Sequence, residues 1–346
     1  MLKRLGLTSF TGFDQADITW SPGLNVVVGE NGTGKSQLLK LAYTLAWVSA
    51  AMGRSTRQSK DEWQRRLADK LVATCRPEYL GRLVSRQQGR NRCDVTVEFG
   101  APTGADYAFS FAINSRSEVK LEQAPAAYLA ASPVFIPTRE MLTVFPGFTA
   151  VYEERHLEYD ETYYDLAKAL SGSPRKKHAA STQRLIDELE QIMDGHIRLE
   201  NGRFYLLPNQ AGKGRIEIPL VAEGLRKLAM LAYLLINGSL PGRGLLFWDE
   251  PETNLNPKLI AAVARALFSL AGNGYQVILA THSLFLMREF EILRGQHSRK
   301  TPMRFIGLAP AGDSVTVEQD DDVTAIQTLV LLDEELAQSD RYLALD

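Results

Sequence analysis

Apolar and polar residues alternate along the first 28 residues of the chain, which predicts short strands separated by turns. The alternation is interrupted at Gly12 and at the turn Ser21-Pro22-Gly23, after which Leu24–Val28 forms a mainly apolar run of strand-forming residues. Beyond residue 36 the apolar residues recur at helical spacing as far as about Ala51. The pattern therefore predicts strands that lead directly into a helix.

The middle of the chain predicts a small sheet followed by helices. Cys93–Phe99 and Tyr107–Ile113 alternate again, and Glu118–Leu121 could add a third strand, which favours an antiparallel sheet inserted in the core. An apolar strand over Val134–Ile136 is followed by sequence that is mostly helical in character. This region ends in a hairpin, which we expect to turn at Asn201-Gly202.

Two apolar strands in the second half end in polar residues. Leu245–Trp248 runs into Asp249 and Glu250, and Gln276–Ala280 runs into Thr281-His282-Ser283. Buried strands of this kind, alternating with helical segments, are typical of an α/β fold with a parallel sheet. We expect the polar residues at the strand ends to face a ligand.

Composition and charge exclude several classes of protein. The chain has 346 residues with 45% hydrophobic and 23% charged residues and a formal net charge of −2, which gives no general attraction to nucleic acid or membrane. Cys75 and Cys93 form no CxxC pair, which argues against a disulfide framework or a structural zinc site. No apolar run approaches the ~20 residues of a membrane span, and the N-terminus lacks the apolar region of a signal peptide. We expect a soluble, cytoplasmic protein.

One segment is much more basic than the chain as a whole, whose net charge is weakly negative. Residues Arg54–Arg92 contain 11 Lys and Arg residues against four Asp and Glu residues, a net charge of +7. A charge-rich face of this kind is most often simply solvated. The alternative is a contact with nucleic acid, which stays open at this point.

The stretch after the first apolar strand fits the phosphate-binding pattern GxxxxGK[ST] without a gap. Glycines let the backbone wrap around phosphate oxygens and turn its N–H groups inward. The nucleotide-binding residues predicted here are Gly29, Asn31, Gly32, Thr33, Gly34, Lys35 and Ser36. Lys35 would contact the β- and γ-phosphates and Ser36 would contact Mg²⁺, so ATP with Mg²⁺ is the predicted cofactor.

The strand ends supply the remaining chemistry. Asp249 is assigned to Mg²⁺, and Glu250 is assigned as the base that polarises the attacking water. His282 ends a strand about one helical crossover further on, where it could reach the γ-phosphate. We read the other histidines, His156, His178, His196 and His297, as structural or solvated.

The motifs GENGTGKS, VAEGLRKLA, LLFWDEPETNLNP and LATHS, in this order, resemble the ABC-type ATPase heads of the SMC, RecF and OLD group. The likeness is strongest to compact bacterial AAA-family ATPases with an OLD-like head. It covers residues 1 to about 50 and 215 to 290. The implied fold is a P-loop NTPase of the α/β class with inserted antiparallel β and helical lobes.

The resemblance assigns a role to each motif. It makes Gly29–Ser36 the Walker A loop, Asp249 the Walker B acid, Glu250 the catalytic glutamate, Asn254–Pro257 the D-loop and His282 the switch histidine. Lys35 joins Glu250 and His282 as a catalytic residue. The signature residues would be Ala222, Glu223 and Gly224, which in such heads contact the ATP held by the opposite subunit. The implied mechanism is a head-to-head dimer that closes on ATP.

The sequence departs from the family in three respects. Ala222 stands where many signatures have serine, which removes one hydroxyl from the γ-phosphate and is compatible with slow hydrolysis or dependence on a partner. The glutamine loop has no obvious glutamine, and we place it at Pro137–Glu140. The stretch after Ser283 is too short for the TOPRIM nuclease domain of OLD proteins, so we expect any nuclease to be a separate effector chain.

Domain boundaries follow from these assignments. We predict one discontinuous ATPase core over residues 1–53 and 215–310, a basic inserted lobe with a small sheet over 54–132, a helical lobe over 133–214 and a C-terminal extension over 311–346.

Three functions compete. The first is an ATPase that gates a nucleic-acid-directed process, such as phage defence or DNA repair, through a separate effector. The second is a nucleic-acid clamp switched by ATP with little turnover, which the basic segment supports. The third is the nucleotide subunit of a membrane transporter, which the signature and D-loop fit badly. A P-loop kinase would need neither of these motifs.

Overall fold

A computed structural model of the chain describes residues 1–86, 89, 91–155, 157–296, 301–327, 337–338 and 340–344. Its strands are β1 (Leu2–Phe10), β2 (Phe13–Thr19), β3 (Leu24–Gly29), β4 (Arg92–Phe99), β5 (Tyr107–Ala112), β6 (Lys120–Gln123), β7 (Val134–Ile136), β8 (Gly195–Glu200), β9 (Arg203–Pro208), β10 (Ile216–Glu217), β11 (Leu245–Asp249), β12 (Gln276–Thr281), β13 (Met303–Ala311) and β14 (Ser314–Asp320). Its α-helices are α1 (Lys35–Gly53), α2 (Lys60–Cys75), α3 (Phe148–Arg155), α4 (Glu161–Leu170), α5 (Ala180–Met193), α6 (Glu223–Ile236), α7 (Pro257–Gly272) and α8 (Leu284–Gln296).

The largest sheet has the strand order β14-β13-β3-β12-β11-β7, and its neighbours are parallel from β13 to β7. Every residue of β3, β11 and β12 is buried, as expected for strands covered on both faces. Parallel strands bring their carboxyl ends to one edge of the sheet. The residues that follow β3, β11 and β12 therefore meet there, and the α/β fold class is confirmed.

Successive residues of a central strand contribute to two different cores. In β11, Leu246 and Trp248 lie in the core shared with α4, α5, α6, α7 and α8, whereas Leu245 and Phe247 lie in the core shared with α1 and the antiparallel sheet. The alternation follows from the two-residue period of a strand. A helix layer thus covers one face of the sheet, and a β layer with α1 covers the other.

The antiparallel sheet is larger than the sequence suggests. Its order is β2-β1-β4-β5-β6, so the three strands expected between residues 93 and 121 continue a hairpin formed by the first 19 residues. The pairing of β1 with β4 is long-range and leaves no local signal. The inserted lobe consequently shares its sheet with the N-terminal strands.

The last described strands also extend the core. β13 pairs with β3 and β14 pairs with β13, so the sheet continues past residue 310, where we expected an extension to begin. The hairpin β8–β9 does turn at Asn201 and Gly202, whose φ angles of 49° and 73° confirm the predicted turn. Among the described residues, no helix combines the length and apolar character needed to cross a bilayer.

Candidate nucleotide-binding site

The phosphate loop (29–36) connects β3 to α1, as predicted. Gly32 and Gly34 have φ angles of 87° and 85°, a region that residues with a Cβ rarely adopt. Gly34 is the N-cap of α1 and supplies no side chain, so the first N–H groups of the helix are left to face the loop. Loop and helix therefore form a cradle for an anion, which fits the phosphates of ATP.

Lys35 is buried within this loop, with 6% of its surface exposed. Its Nζ donates hydrogen bonds to the carbonyl oxygens of Gly29 and Glu30, both at 2.8 Å. Burial lowers the pKa of Lys35, and the carboxylates of Glu250 and Asp249 oppose this shift. The ammonium group is thus held inside the loop, in position to contact a bound phosphate.

Ser36 and Asp249 meet where β11 ends beside α1. The Ser36 hydroxyl donates to Oδ1 of Asp249 at 3.1 Å. Burial raises the pKa of Asp249 to about 6, and the hydrogen bond from Ser36 opposes the shift. The Ser36 hydroxyl and the Asp249 carboxylate are the groups that would hold Mg²⁺ together with phosphate oxygens. Such a sparse oxygen set fits Mg²⁺, which keeps several waters and binds few protein ligands.

Glu250 and His282 lie next to each other at the ends of neighbouring strands. Glu250 has a φ angle of 48°, and its N–H donates to the Ala280 carbonyl oxygen at 2.9 Å. Nδ1 of His282 lies 3.4 Å from Oε1 of Glu250, and 45% of the histidine side chain is exposed. The structure thus brings together the predicted base and the predicted switch histidine.

The signature segment (Ala222–Gly224) begins α6 and contacts the D-loop of its own chain. Nδ2 of Asn254 donates to Oε1 of Glu223 at 3.2 Å. A Cβ added at Gly224 would lie 2.6 Å from Cδ1 of Leu259 and 2.8 Å from Cδ2 of Leu255. The glycine therefore permits close packing of α6 against the D-loop and α7, a role that the motif alone does not reveal.

A buried lysine, Lys227, reinforces this contact. It is 0% exposed, and its Nζ donates to the carbonyl oxygens of Thr253 at 2.7 Å and Pro251 at 3.4 Å. Sequence reasoning missed it, because a lysine beside an arginine at the start of a helix usually indicates a solvated surface.

The segment proposed as the glutamine loop follows β7, the neighbour of β11. Oε1 of Glu140 lies 2.9 Å from Nε of Arg226 in α6, and the two side chains are only 7% and 17% exposed. A carboxylate in this segment is therefore paired with the helix that begins at the signature. Pro137–Glu140 as a functional glutamine-loop equivalent stays a prediction.

Beside the phosphate loop lies a cavity of about 900 Å³ that the sequence did not predict. It is lined by residues from the β1–β2 turn, α1 and the segment after α2, among them Thr11, Gln37, Arg76, Arg82 and Arg86. The bridge between Phe10 and Val84 brings the arginine-containing segment to the end of β1. The cavity directly adjoins α1 at the residue after Ser36.

The basic segment (Arg54–Arg92) is partly neutralised. Lys70 is 3% exposed. Its Nζ lies 2.5 Å from Oδ2 of Asp165 and 3.9 Å from the centre of the Trp47 ring. Arg66 pairs with Glu62, and Arg92 pairs with Asp94 and Glu122. Arg90, like His156 and His297, lies outside the described residues. Contact of this segment with nucleic acid stays a prediction.

Comparisons with known proteins agree with this geometry. A family model described as "AAA domain, putative AbiEii toxin, Type IV TA system" matches residues 117–288. The DNA replication and repair protein RecF of Limosilactobacillus fermentum is 35% identical over 72 residues, which is 20% of this chain and 18% of RecF. RecF of Klebsiella pneumoniae is 41% identical over 64 residues, 17% of this chain and 18% of that protein. The chain thus covers less than a fifth of these relatives.

Solved structures extend the likeness to nearly the whole chain. An SMC head bound to the C-winged helix domain of ScpA matches with a TM-score of 0.55 at 16% identity, over 94% of this chain and 98% of that one. An SMC head with an extended coiled coil, bound to the C-terminal domain of ScpA from Pyrococcus furiosus, matches with a TM-score of 0.52 at 13% identity, over 97% and 98%. At such identities the likeness concerns the fold.

The expected resemblance is therefore confirmed, for SMC heads in the fold and for RecF over a short stretch of sequence, whereas the narrower OLD-like assignment stays a prediction. By its fold and by the order of its motifs, the chain is similar to the ABC-type ATPase heads of SMC and RecF proteins.

Proposed function

We propose that the chain binds ATP with Mg²⁺, hydrolyses it, and closes as a head-to-head dimer around the nucleotide. One observation carries the proposal, which is that two close pairs lie side by side where α1 begins and where β11 and β12 end. Ser36 lies 3.1 Å from Asp249, and Glu250 lies 3.4 Å from His282. Phosphate binding alone requires only the loop, whereas hydrolysis also requires groups that hold Mg²⁺ and polarise the attacking water.

Each group has a defined task. The N–H groups of the loop and Lys35 bind and orient the β- and γ-phosphates, which supplies most of the positioning that phosphoryl transfer needs. When bound, Mg²⁺ neutralises phosphate charge, and Ser36 and Asp249 would hold it. Glu250 accepts a hydrogen bond from the attacking water, while His282, at its side, can donate to a γ-phosphate oxygen.

The cavity beside α1 is the proposed site of the nucleoside. Its volume of about 900 Å³ is large enough for a base and ribose, and it adjoins α1 at Gln37, the residue that follows the phosphate loop. Arg82 and Arg86 would then face the nucleotide, whereas the sequence suggested a nucleic-acid contact for them.

Dimer closure is supported by the free end of α6. Ala222 caps the helix without a side-chain hydrogen bond, so its first N–H groups are available to an anion. Leu220, two residues earlier, is 76% exposed, which suits a surface that a second copy covers. The ligand of this helix end would be the γ-phosphate held by the other subunit.

The process controlled by the head is proposed to act on nucleic acid in the cytoplasm. RecF is named for DNA replication and repair, and the matched family model is named for a putative toxin system. Both descriptions suit a head that gates DNA repair or phage defence through a separate effector protein. The second candidate, an ATP-switched clamp with little turnover, is favoured by Ala222, which withholds a hydroxyl from the γ-phosphate.

A single variant tests the proposal. Glu250→Gln should bind ATP but release phosphate at least about 100-fold more slowly than the wild type, and should accumulate as a dimer with ATP and Mg²⁺. Light scattering after gel filtration measures the dimer, and a phosphate assay measures turnover. A wild-type chain that releases no phosphate, or a Glu250→Gln chain that stays monomeric with bound ATP, would contradict hydrolysis or closure respectively.

A further inference from the structure

Glu252 is a buried acid that has no role in the mechanism so far. It lies two residues after Glu250, in the turn that follows β11, and only 5% of its side chain is exposed. Acidic side chains are rarely buried to this extent unless they are paired. The hydrogen-bond partners of Glu252 therefore indicate its role.

One oxygen of Glu252 joins this turn to the segment that carries His282. Oε1 accepts a hydrogen bond from the Thr281 hydroxyl at 2.5 Å and another from the backbone N–H of His282 at 3.2 Å. Oγ1 of Thr281 in turn accepts from the N–H of Ser283 at 2.9 Å. Three successive residues, the last one of β12 and the two that follow it, are thus fixed by one carboxylate, either directly or through Thr281.

The fixed backbone presents an exposed ring to the catalytic acid. Nδ1 of His282 lies 3.4 Å from Oε1 of Glu250 and 3.9 Å from Oε1 of Glu252. With its backbone held, the ring can move only about its own two side-chain torsions. Its distance from Glu250 therefore depends on the bond between Glu252 and the His282 N–H.

The second oxygen of Glu252 argues against a purely stabilising role. Oε2 is buried and has no hydrogen-bond partner among the described residues. A buried, unsatisfied carboxylate oxygen costs free energy, so a neutral side chain would serve the fold better. Glu252 also lies close enough to Lys35 and Lys227 to raise the pKa of each against the effect of burial. The acid is placed between the phosphate loop and α6, where its charge can act on the site.

We propose that Glu252 is a positioning residue for ATP hydrolysis: it holds the His282 backbone so that the imidazole stays beside Glu250. The inference rests on the proposed ATPase function and adds a residue that acts through His282 without touching the nucleotide. It implies that Glu252 and His282 act as one functional unit. The decreases in kcat caused by removing each side chain therefore do not multiply when both are removed.

The test compares Glu252→Ala, Glu252→Gln, His282→Ala and the double variant Glu252→Ala/His282→Ala. Glu252→Ala should lower kcat about tenfold or more while KM for ATP changes by less than about threefold, because misplacement of a reacting group affects the chemical step. Glu252→Gln should keep at least about a third of wild-type kcat, since an amide oxygen still accepts both hydrogen bonds. The double variant should be no slower than His282→Ala alone.

A matched control is Glu291→Ala, which removes a partly buried carboxylate from α8, the helix that follows His282. It should leave kcat unchanged. Wild-type kcat in Glu252→Ala, or losses that multiply in the double variant, would overturn the inference. A kcat of Glu252→Gln as low as that of Glu252→Ala would also overturn it.

Thermal melting shows whether Glu252→Ala folds. If it does not, Thr281→Val replaces it, because this near-isosteric change removes the hydroxyl that donates to Glu252. That variant should then lower kcat at unchanged KM, and without further loss in the His282→Ala background; any other result overturns the inference. A wild-type chain without ATPase activity would instead overturn the proposed function, and this inference with it.

Discussion

The phosphate loop and the signature segment both lie at helix N-termini and are both proposed to contact phosphate, but they are held in different ways. The loop takes its shape from eight contiguous residues, with left-handed glycines and a lysine bonded to the loop's own carbonyl oxygens. The signature segment is held by long-range contacts: Asn254 bonds Glu223, and Lys227 bonds the carbonyl oxygen of Thr253.

The difference indicates that the two regions have separate functions. A site made by local backbone is complete within one chain and should bind ATP in a monomer. In the proposed dimer, a site that is tied to the D-loop would change its position whenever the D-loop moves, and would thereby respond to the nucleotide at the interface. Three substitutions test this difference between the two regions.

The largest effect is expected at the phosphate loop. Lys35→Ala should weaken ATP binding by about 100-fold or more, because a buried cation aimed into the loop is lost, and should abolish ATP-driven dimerisation. Isothermal calorimetry measures the affinity. Arg54→Ala, just after the other end of α1, is the control and should bind normally. Affinity within threefold of wild type in Lys35→Ala would mean that the phosphates bind elsewhere.

An intermediate effect is expected where α6 meets the D-loop. Gly224→Val places carbon atoms within 3 Å of Leu255 and Leu259, an overpacking that should cost about 1–3 kcal/mol and displace the signature segment. ATP affinity of the monomer should stay within about twofold, while phosphate release falls about tenfold. Gly242→Val is the control, since a Cβ there meets no atom within 4 Å. A parallel loss of ATP binding would show that the two regions are not separable.

The smallest effect is expected at the signature N-cap. Ala222→Ser restores a capping hydroxyl and should raise stability by about 1 kcal/mol. In the dimer the same hydroxyl should raise turnover about threefold, the worth of one modest hydrogen bond. Ala179→Ser at the N-cap of α5, which also lacks a side-chain cap, should match the stability gain without changing turnover. If Ala222→Ser and Ala179→Ser have the same turnover, residue 222 does not contact the nucleotide.

The sequence predicted the elements whose signals are local. β3, the phosphate loop and α1 follow one another without interruption, and the ends of β11 and β12 carry Asp249, Glu250 and His282 to one edge because parallel strands align there. The pairing of β1 with β4 and the burial of Lys227 depend on residues far apart in the chain, so no local pattern could reveal them.

The basic segment shows how charge counting can mislead. Lys70 belongs to a buried cluster with Asp165, and Arg82 and Arg86 line the cavity next to α1. With the nucleoside in this cavity, as proposed, charge reversal at these two arginines is expected to alter nucleotide binding as well as any DNA contact. Arg57 and Arg65, which are exposed, offer a cleaner test of nucleic-acid binding.

The position of β3 in the sheet has a consequence for biosynthesis. The strand that carries the phosphate loop lies between β12 and β13, although more than 240 residues separate it from either neighbour along the chain. While a ribosome is still making residues 30–275, β3 has neither partner, and both of its edges are unpaired. The nucleotide site therefore forms only after residues 276–311 have been made, and chaperones that shield unpaired strands have a long interval in which to act on the nascent chain.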